Sequence, residues 1–158
     1  MKPRLILDCD GVILEFLAPF QRWLEVDRGI RMQLTGPTIA NSMTRVGDGS
    51  AVEDSLFPAL LDGFFQHGQF TQPPTADAQE ALASLRRDME IVVLTNIPAQ
   101  WRDLRIESLA RHGFDFPVFA NDGPKGRRVQ ELADGHPAVF VDDLTPHHKS
   151  AARHAPEV

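Results

Sequence analysis

The stretch that decides the fold is residues 5–14, LILDCDGVIL, in which Asp8 and Asp10 follow an uninterrupted apolar run. A run without alternation is typical of a short strand buried on both faces, as in a parallel sheet. Both carboxylates then lie at the C-terminal end of the strand, the edge of an open parallel sheet at which ligands bind. Because two carboxylates repel each other there, the pair favours a bound cation or a retained proton.

Two other interpretations of the same stretch involve no catalysis. Asp and Gly after an apolar run also form plain turns, because Asp bonds to nearby backbone and Gly adopts positive φ. A calcium loop needs oxygen ligands at its first, third and fifth positions and Gly at its sixth, whereas here Gly11 is fourth and Val12 is fifth. The calcium loop is therefore excluded, and the plain turn stays open on this stretch alone.

Composition limits the class of protein. The chain has 158 residues, 42% of them hydrophobic and 24% charged, which predicts one soluble domain with a real core. No apolar run approaches the length of about 18 residues that a membrane span needs. Cys9 is the single cysteine, so we expect no internal disulfide and a cytoplasmic location. A formal net charge of −6 argues against a nucleic-acid polymer as partner.

Buried-strand patterns alternate with helical patterns through most of the chain. The predicted strands are residues 5–7, 91–94, 116–120 and 138–141. The predicted helices of the core are one that Thr75 caps and that carries Ala78, Ala81, Leu82 and Leu85, followed by residues 98–112, 124–133 and 146–154. This alternation is typical of α/β proteins and predicts a Rossmann-like, three-layer core built on a parallel sheet.

A segment of different character interrupts this pattern after the first strand. Residues 13–27 have helical spacing that begins near Glu15 or restarts at Pro19, residues 29–50 are polar and turn-rich, and residues 50–68 are again helical. Two consecutive prolines then end the segment in QFTQPPT. We therefore predict a core of residues 1–14 and 75–158 with a small, mostly helical cap at residues 15–74.

Polar side chains follow three of the four predicted strands. They are Asp8 and Asp10 after the first, Thr95 and Asn96 after the second, and Asp142 and Asp143 after the fourth. The C-terminal ends of parallel strands share one edge of a sheet, so these groups are expected to converge. A lysine, Lys125, begins the helix that follows the third strand.

The order of these motifs resembles the haloacid dehalogenase (HAD) superfamily of phosphotransferases and hydrolases, over nearly the whole chain outside the insert. The family's four motifs are matched by DCDG at residues 8–11, Thr95 in VVLTN, Lys125 in GPKGRR, and Asp142–Asp143 in VFVDD. Lys125 fits the third motif better than Lys149 does. All four motifs in this order are strongly specific, whereas DxDG alone is only moderately so.

The resemblance implies a phosphatase that works through a covalent intermediate. Asp8 would attack phosphorus and form an aspartyl phosphate. Asp10 would protonate the leaving oxygen and then accept a proton from the hydrolytic water. A displaced halide needs no proton, so the presence of Asp10 favours phosphoryl transfer over dehalogenation.

The resemblance also implies a cofactor and a set of ligand contacts. Mg²⁺ would be held by the side chain of Asp8, the main-chain carbonyl of Asp10, and Asp142 with Asp143 close behind. Thr95, Asn96 and Lys125 would bind the phosphoryl oxygens, and Lys125 would stabilise the transferring group. The expected substrate is a small phosphorylated metabolite.

Substrate class and partners stay open at this stage. The short helical cap, the opening DCDGVILEF and the segment around Phe64, Phe65 and Phe70 are similar to the 5′(3′)-deoxyribonucleotidases, in which case a Phe or Trp ring would stack on a base. Helical spacing instead favours Phe57, Phe64 and Phe65 as the cap's own core. A non-catalytic protein that binds a phosphorylated ligand or a protein is the other alternative. Sheets of this family usually include a strand beyond the acidic motif. Without it, an apolar edge would favour a homodimer contact.

Overall fold

Strand β1 (Arg4–Leu7) carries the apolar run of the opening stretch and lies in the middle of a four-stranded parallel sheet of order β5-β4-β1-β6. The structure, a computed structural model, describes all 158 residues. It contains two compact units, one formed by Met1–Glu15 with Pro73–Val158 and the other by Phe16–Gln72. The elements in chain order are β1, α1 (Leu17–Arg28), β2 (Ile30–Met32), β3 (Met43–Arg45), α2 (Phe57–Gly63), α3 (Ala78–Leu85), β4 (Glu90–Asn96), α4 (Arg102–Ala110), β5 (Val118–Asn121), α5 (Gly126–Ala133), β6 (Ala138–Val141) and α6 (Thr145–His154).

The first unit has a hydrophobic cluster on each face of its sheet. One cluster includes Leu5 and Leu7 of β1 together with residues of α3 and α4, and the other includes Ile6 of β1 together with residues of α5 and α6. Successive residues of β1 therefore point into opposite cores, which explains why its apolar run has no alternation. The predicted α/β, Rossmann-like core of three layers is confirmed.

Strand β6 is less buried than its sequence AVFV suggested. It pairs with β1 alone, and Val139 and Val141 are 48% and 38% exposed. The prediction of a strand buried on both faces was wrong here because β6 is an edge strand. The homodimer contact expected from an open apolar edge stays a prediction.

The second unit is not purely helical. The segment predicted as a loop at residues 29–50 contains an antiparallel pair, β2 and β3, with Ile30, Met32 and Met43 buried. Three-residue strands are too short for a period of two to stand out from a turn-rich background. The helix predicted over residues 50–68 is also broken, because α2 begins only at Phe57 and is followed by a π-helical turn, Phe64–Gly68.

Aromatic side chains fill the interior of the second unit. Phe64 is fully buried and packs edge-on against Phe20 and Trp23, with ring centroids 5.2 and 5.8 Å away. Phe65, which is 3% exposed, lies beside Phe64. These rings pack on one another, as the helical spacing favoured, and stabilise the unit as its core. Across both units, no helix has the length and apolar character needed to cross a bilayer.

Candidate active site

Three carboxylates meet at the C-terminal edge of the parallel sheet. Asp8 directly follows β1, and its amide donates a hydrogen bond to the carbonyl of Val141 at 2.9 Å. Asp142 follows β6, the neighbour of β1, so the pairing of the two strands brings both aspartates together. Carboxylate oxygens of Asp8, Asp142 and Asp143 all lie within 4.8 Å of one another.

Lys125 is buried between two of these carboxylates. Its Nζ atom lies 2.7 Å from Oδ1 of Asp8 and 2.7 Å from Oδ2 of Asp142, and the residue is only 1% exposed. Such an ammonium group is a compact positive charge with three donors. Two of them are directed at aspartates from different strands.

The packing of α5 against α6 fixes the backbone of Gly126, the residue that follows Lys125. The amide of Gly126 donates to Oγ of Ser150 at 3.0 Å. A Cβ atom at Gly126 would lie 2.2 Å from the carbonyl oxygen of Ser150, so a larger residue would separate the helices. Lys125 directly precedes α5 and is therefore positioned by a contact that only glycine allows.

The single positive charge of Lys125 does not balance the three carboxylates around it. Burial raises the pKa of Asp8 to about 7 against the opposing effect of Lys125, and the nearby Asp142 and Asp10 raise it further. Burial and the charge of Asp142 also raise the pKa of Asp143. Three clustered carboxylates with a single lysine between them supply the oxygen ligands and negative charge that fit a hard divalent cation such as Mg²⁺. Asp8, Asp142 and Asp143 are the side chains that would hold it.

The glycine of the opening motif makes room for Asp143. Gly11 has a φ of +81°, which favours glycine. A Cβ atom at this position would lie 2.2 Å from Oδ2 of Asp143. Gly11 therefore serves both the turn after β1 and the placement of a carboxylate from the far end of the chain.

Thr95 and Asn96, the two residues of β4 that are predicted to bind phosphoryl oxygens, have different surroundings. Thr95 is fully buried, and its Oγ1 has no hydrogen-bond partner in the protein. Asn96 instead donates from Nδ2 to the carbonyl of Gly123 at 3.0 Å and accepts at Oδ1 from Asn121 at 2.7 Å. The Asn96 side chain thus holds the loop that leads to Lys125, and its contact with phosphate stays a prediction.

The side chain of Asp10 lies outside the three-carboxylate cluster and pairs with an arginine. Both of its carboxylate oxygens lie 3.0 Å from Nη2 of Arg105, in α4. The expectation that Asp10 offers a metal its main-chain carbonyl stays a prediction. Cys9, between the two aspartates, is fully buried, and burial raises the pKa of its thiol, so it is a packing residue.

Arg105 is the site residue that the sequence analysis missed. A signal was present, because Trp101, Arg105 and Leu109 follow each other at helical spacing. An arginine in such a stripe between apolar residues indicates a buried charge, which requires a partner. The partner itself could not be identified, since Asp10 is 95 positions away in the chain.

Comparison with known proteins agrees with this fold. No family model and no curated protein matches the sequence. The structure, however, has the haloacid dehalogenase-like fold. It is similar to a haloacid dehalogenase-like family hydrolase from Streptococcus pneumoniae, with a TM-score of 0.66 and 11% identity over 97% of this chain and 81% of that chain. It is also similar to a HAD-superfamily hydrolase of subfamily IA from Geobacter sulfurreducens, with a TM-score of 0.57 and 18% identity over 97% and 83% of the two chains.

The predicted resemblance to the HAD superfamily is thus confirmed at the level of the fold. The finer similarity to the 5′(3′)-deoxyribonucleotidases is not shown by these comparisons. It stays a prediction from the sequence.

Proposed function

We propose that this protein is a Mg²⁺-dependent phosphatase that hydrolyses a small phosphate monoester through an aspartyl phosphate on Asp8. The observation that carries the proposal is the meeting of Asp8, Asp142 and Asp143 around the buried Lys125, with Asp10 two residues from Asp8. An acidic cluster of this kind suits a cation and a phosphoryl group together, because their charges offset those of the carboxylates.

In the first step, a carboxylate oxygen of Asp8 attacks phosphorus as the bond from phosphorus to the ester oxygen breaks. Asp10, which is a carboxylate paired with Arg105 in the resting protein and takes up a proton from solvent in the substrate complex, transfers that proton to the leaving oxygen, so the product leaves as an alcohol. Lys125 supports Asp8 and offers positive charge to the phosphoryl oxygens. The Thr95 hydroxyl, which lacks a protein partner, donates to one of these oxygens.

In the second step, water attacks the phosphorus of the aspartyl phosphate. Asp10, now a carboxylate, accepts a proton from that water, and the bond between phosphorus and the Asp8 oxygen breaks. Inorganic phosphate leaves and the Asp8 carboxylate is restored. When bound, Mg²⁺ would offset the repulsion between the carboxylates and the phosphate.

The test is phosphate release from para-nitrophenyl phosphate with Mg²⁺, with and without a chelator. We expect Asp8→Asn to abolish turnover and Asp88→Asn, an exposed aspartate in the same unit, to leave it unchanged. In Asp10→Asn, the slowed second step should allow a phosphoryl adduct to be detected by mass spectrometry. Equal turnover in the wild type and Asp8→Asn would contradict the proposal.

A screen of phosphate monoesters then addresses the substrate. It should include nucleotides, because the deoxyribonucleotidase-like substrate is predicted from the sequence, as well as sugar and small-acid phosphates. Phe64 and Phe65 pack within the second unit, so nothing in their surroundings favours the nucleotides.

A further inference from the structure

Arg105 is a fully buried positive charge with an acidic partner at the candidate active site. Its side chain is 0% exposed, whereas that of Asp10 is 16% exposed. Burying a guanidinium group is costly unless an anion and hydrogen bonds compensate for the lost water. Asp10 supplies that anion, because both of its carboxylate oxygens lie 3.0 Å from Nη2 of Arg105.

The geometry of this pair restrains the orientation of the Asp10 carboxyl group. One guanidinium nitrogen contacts both oxygens from the protein interior, and the residual exposure shows that part of the group still faces solvent. Arginine is suited to this task, because its planar group is rigid and its donors have fixed directions. A carboxyl group held only by its own side-chain torsions would sample several orientations.

The chain around both residues is also well anchored. The amide of Gly11, next to Asp10, donates to the carbonyl of Leu14 at 2.7 Å. Helix α4, which carries Arg105, packs Leu109 into the same hydrophobic cluster as Leu7 of β1. The pair therefore joins a fixed turn to a fixed helix.

We infer that Arg105 is a positioning residue that orients Asp10 for proton transfer to the leaving group. This inference rests on the proposed function and deepens it. A misplacement of about 1 Å at a reacting group can lower a rate by roughly 100-fold. The gain in rate from a correctly oriented acid therefore explains why a charged side chain is buried beside it. Arg105 itself does not touch the reacting atoms in this scheme.

Two substrates with different leaving groups can distinguish a positioning role of Arg105 from general structural support. An alkoxide leaves poorly without a proton, whereas para-nitrophenolate leaves well without one. We compare kcat/KM for ethyl phosphate and para-nitrophenyl phosphate, because this ratio reports the steps up to release of the alcohol or phenolate. In Arg105→Gln, we expect a loss of about 100-fold for the ethyl ester and a several-fold smaller loss for the aryl ester.

Three further variants complete the test. Arg105→Lys keeps the charge, so its loss of kcat/KM for the ethyl ester, relative to the aryl ester, should be smaller than that of Arg105→Gln. Adding Arg105→Gln to Asp10→Asn should cause no further loss that is specific to the ethyl ester, because Arg105 acts through Asp10. Arg111→Gln, at the C-terminal end of α4 in an exposed pair with Glu107, is the matched control and should leave both esters unchanged.

Each result can be assigned. Equal losses for both esters in Arg105→Gln and Arg105→Lys would overturn the inference and leave Arg105 as a structural ion pair. If Arg105→Gln does not fold, Arg105→Lys takes its place in the comparison. A ratio of kcat/KM for the ethyl ester to kcat/KM for the aryl ester equal to that of the wild type would then contradict positioning by the planar group. Turnover that does not depend on Asp8 would instead overturn the proposed function, and the inference with it.

Discussion

The Nζ atom of Lys125 lies 2.7 Å from Oδ1 of Asp8, in a contact that is almost completely buried. The same atom contacts Asp142, so Lys125 is the counter-charge for two carboxylates that end neighbouring strands. Removing one partner of a buried ion pair leaves the other charges uncompensated. This relationship makes Lys125 important to both stability and catalysis.

Lys125→Met should therefore destabilise the protein by about 3–5 kcal/mol without a divalent cation. It should also lower kcat by about 100- to 1,000-fold, as expected when a group that stabilises transition-state charge is lost. Urea unfolding and steady-state kinetics measure the two effects. Lys149→Met, an exposed lysine on α6, is the control, and equal behaviour of the two variants would contradict the role of Lys125.

Gly11→Ala should weaken Mg²⁺ binding through a steric effect on Asp143, because the new methyl group would overlap its Oδ2. Gly113→Ala is a matched control, since Gly113 has a similar φ of +83° but open space within 4 Å of the place where the methyl group would lie. Both variants should lose about 1–2 kcal/mol of stability from the left-handed backbone. Titration calorimetry with Mg²⁺ should show weaker binding only in Gly11→Ala. Unchanged binding there would exclude Asp143 as a ligand.

Thr95→Val should separate stability from phosphate binding. The Thr95 hydroxyl is buried without a protein partner, so replacing it with a methyl group should keep or raise the melting temperature. Inhibition by inorganic phosphate should weaken by about tenfold, the value of one hydrogen bond. Thr71→Val is the opposite case, because the Thr71 hydroxyl donates to the carbonyl of Gly68 at 2.7 Å and its loss should lower stability. A clear drop in the melting temperature of Thr95→Val would indicate a structural role.

Asp8→Asn should stabilise the metal-free protein at high pH, because it removes a buried negative charge while Lys125 keeps Asp142 as its partner. The pKa of Asp8 is raised from 3.8 to about 7 on folding, so the folded state holds a proton that the unfolded state has lost between these values. Stability from the protonated carboxyl is therefore present in acid and is lost as pH rises through about 7. At pH about 8 the variant should exceed the wild type by a few kcal/mol, and the difference should shrink near pH 5.

Urea unfolding across this pH range measures the effect. Asp88→Asn, an exposed site, should show no such pH-dependent difference. Addition of Mg²⁺ should stabilise the wild type more than Asp8→Asn, because the cation offsets the buried carboxylate. A constant difference across the pH range would contradict the raised pKa.

Much of the core could be predicted because its signals are local. An apolar run that ends in charged residues indicates a buried strand and the edge where it stops, and Asp8, Thr95 and Asp142 lie at such ends. The order of strands and helices then implies a parallel sheet with its ligand edge on one side. The convergence of Asp8 and Asp142 could thus be predicted without knowledge of any side-chain contact.

The sequence by itself thus determined the layered α/β core and the polar edge of its sheet, because strand burial and strand ends are properties of short segments. Only the tertiary structure decided which partners meet there. The pairing of Arg105 with Asp10, the contact of Gly126 with Ser150 and the short hairpin of the second unit all depend on how distant segments pack. Such contacts arise from three-dimensional proximity between residues far apart in the chain, which no local pattern contains.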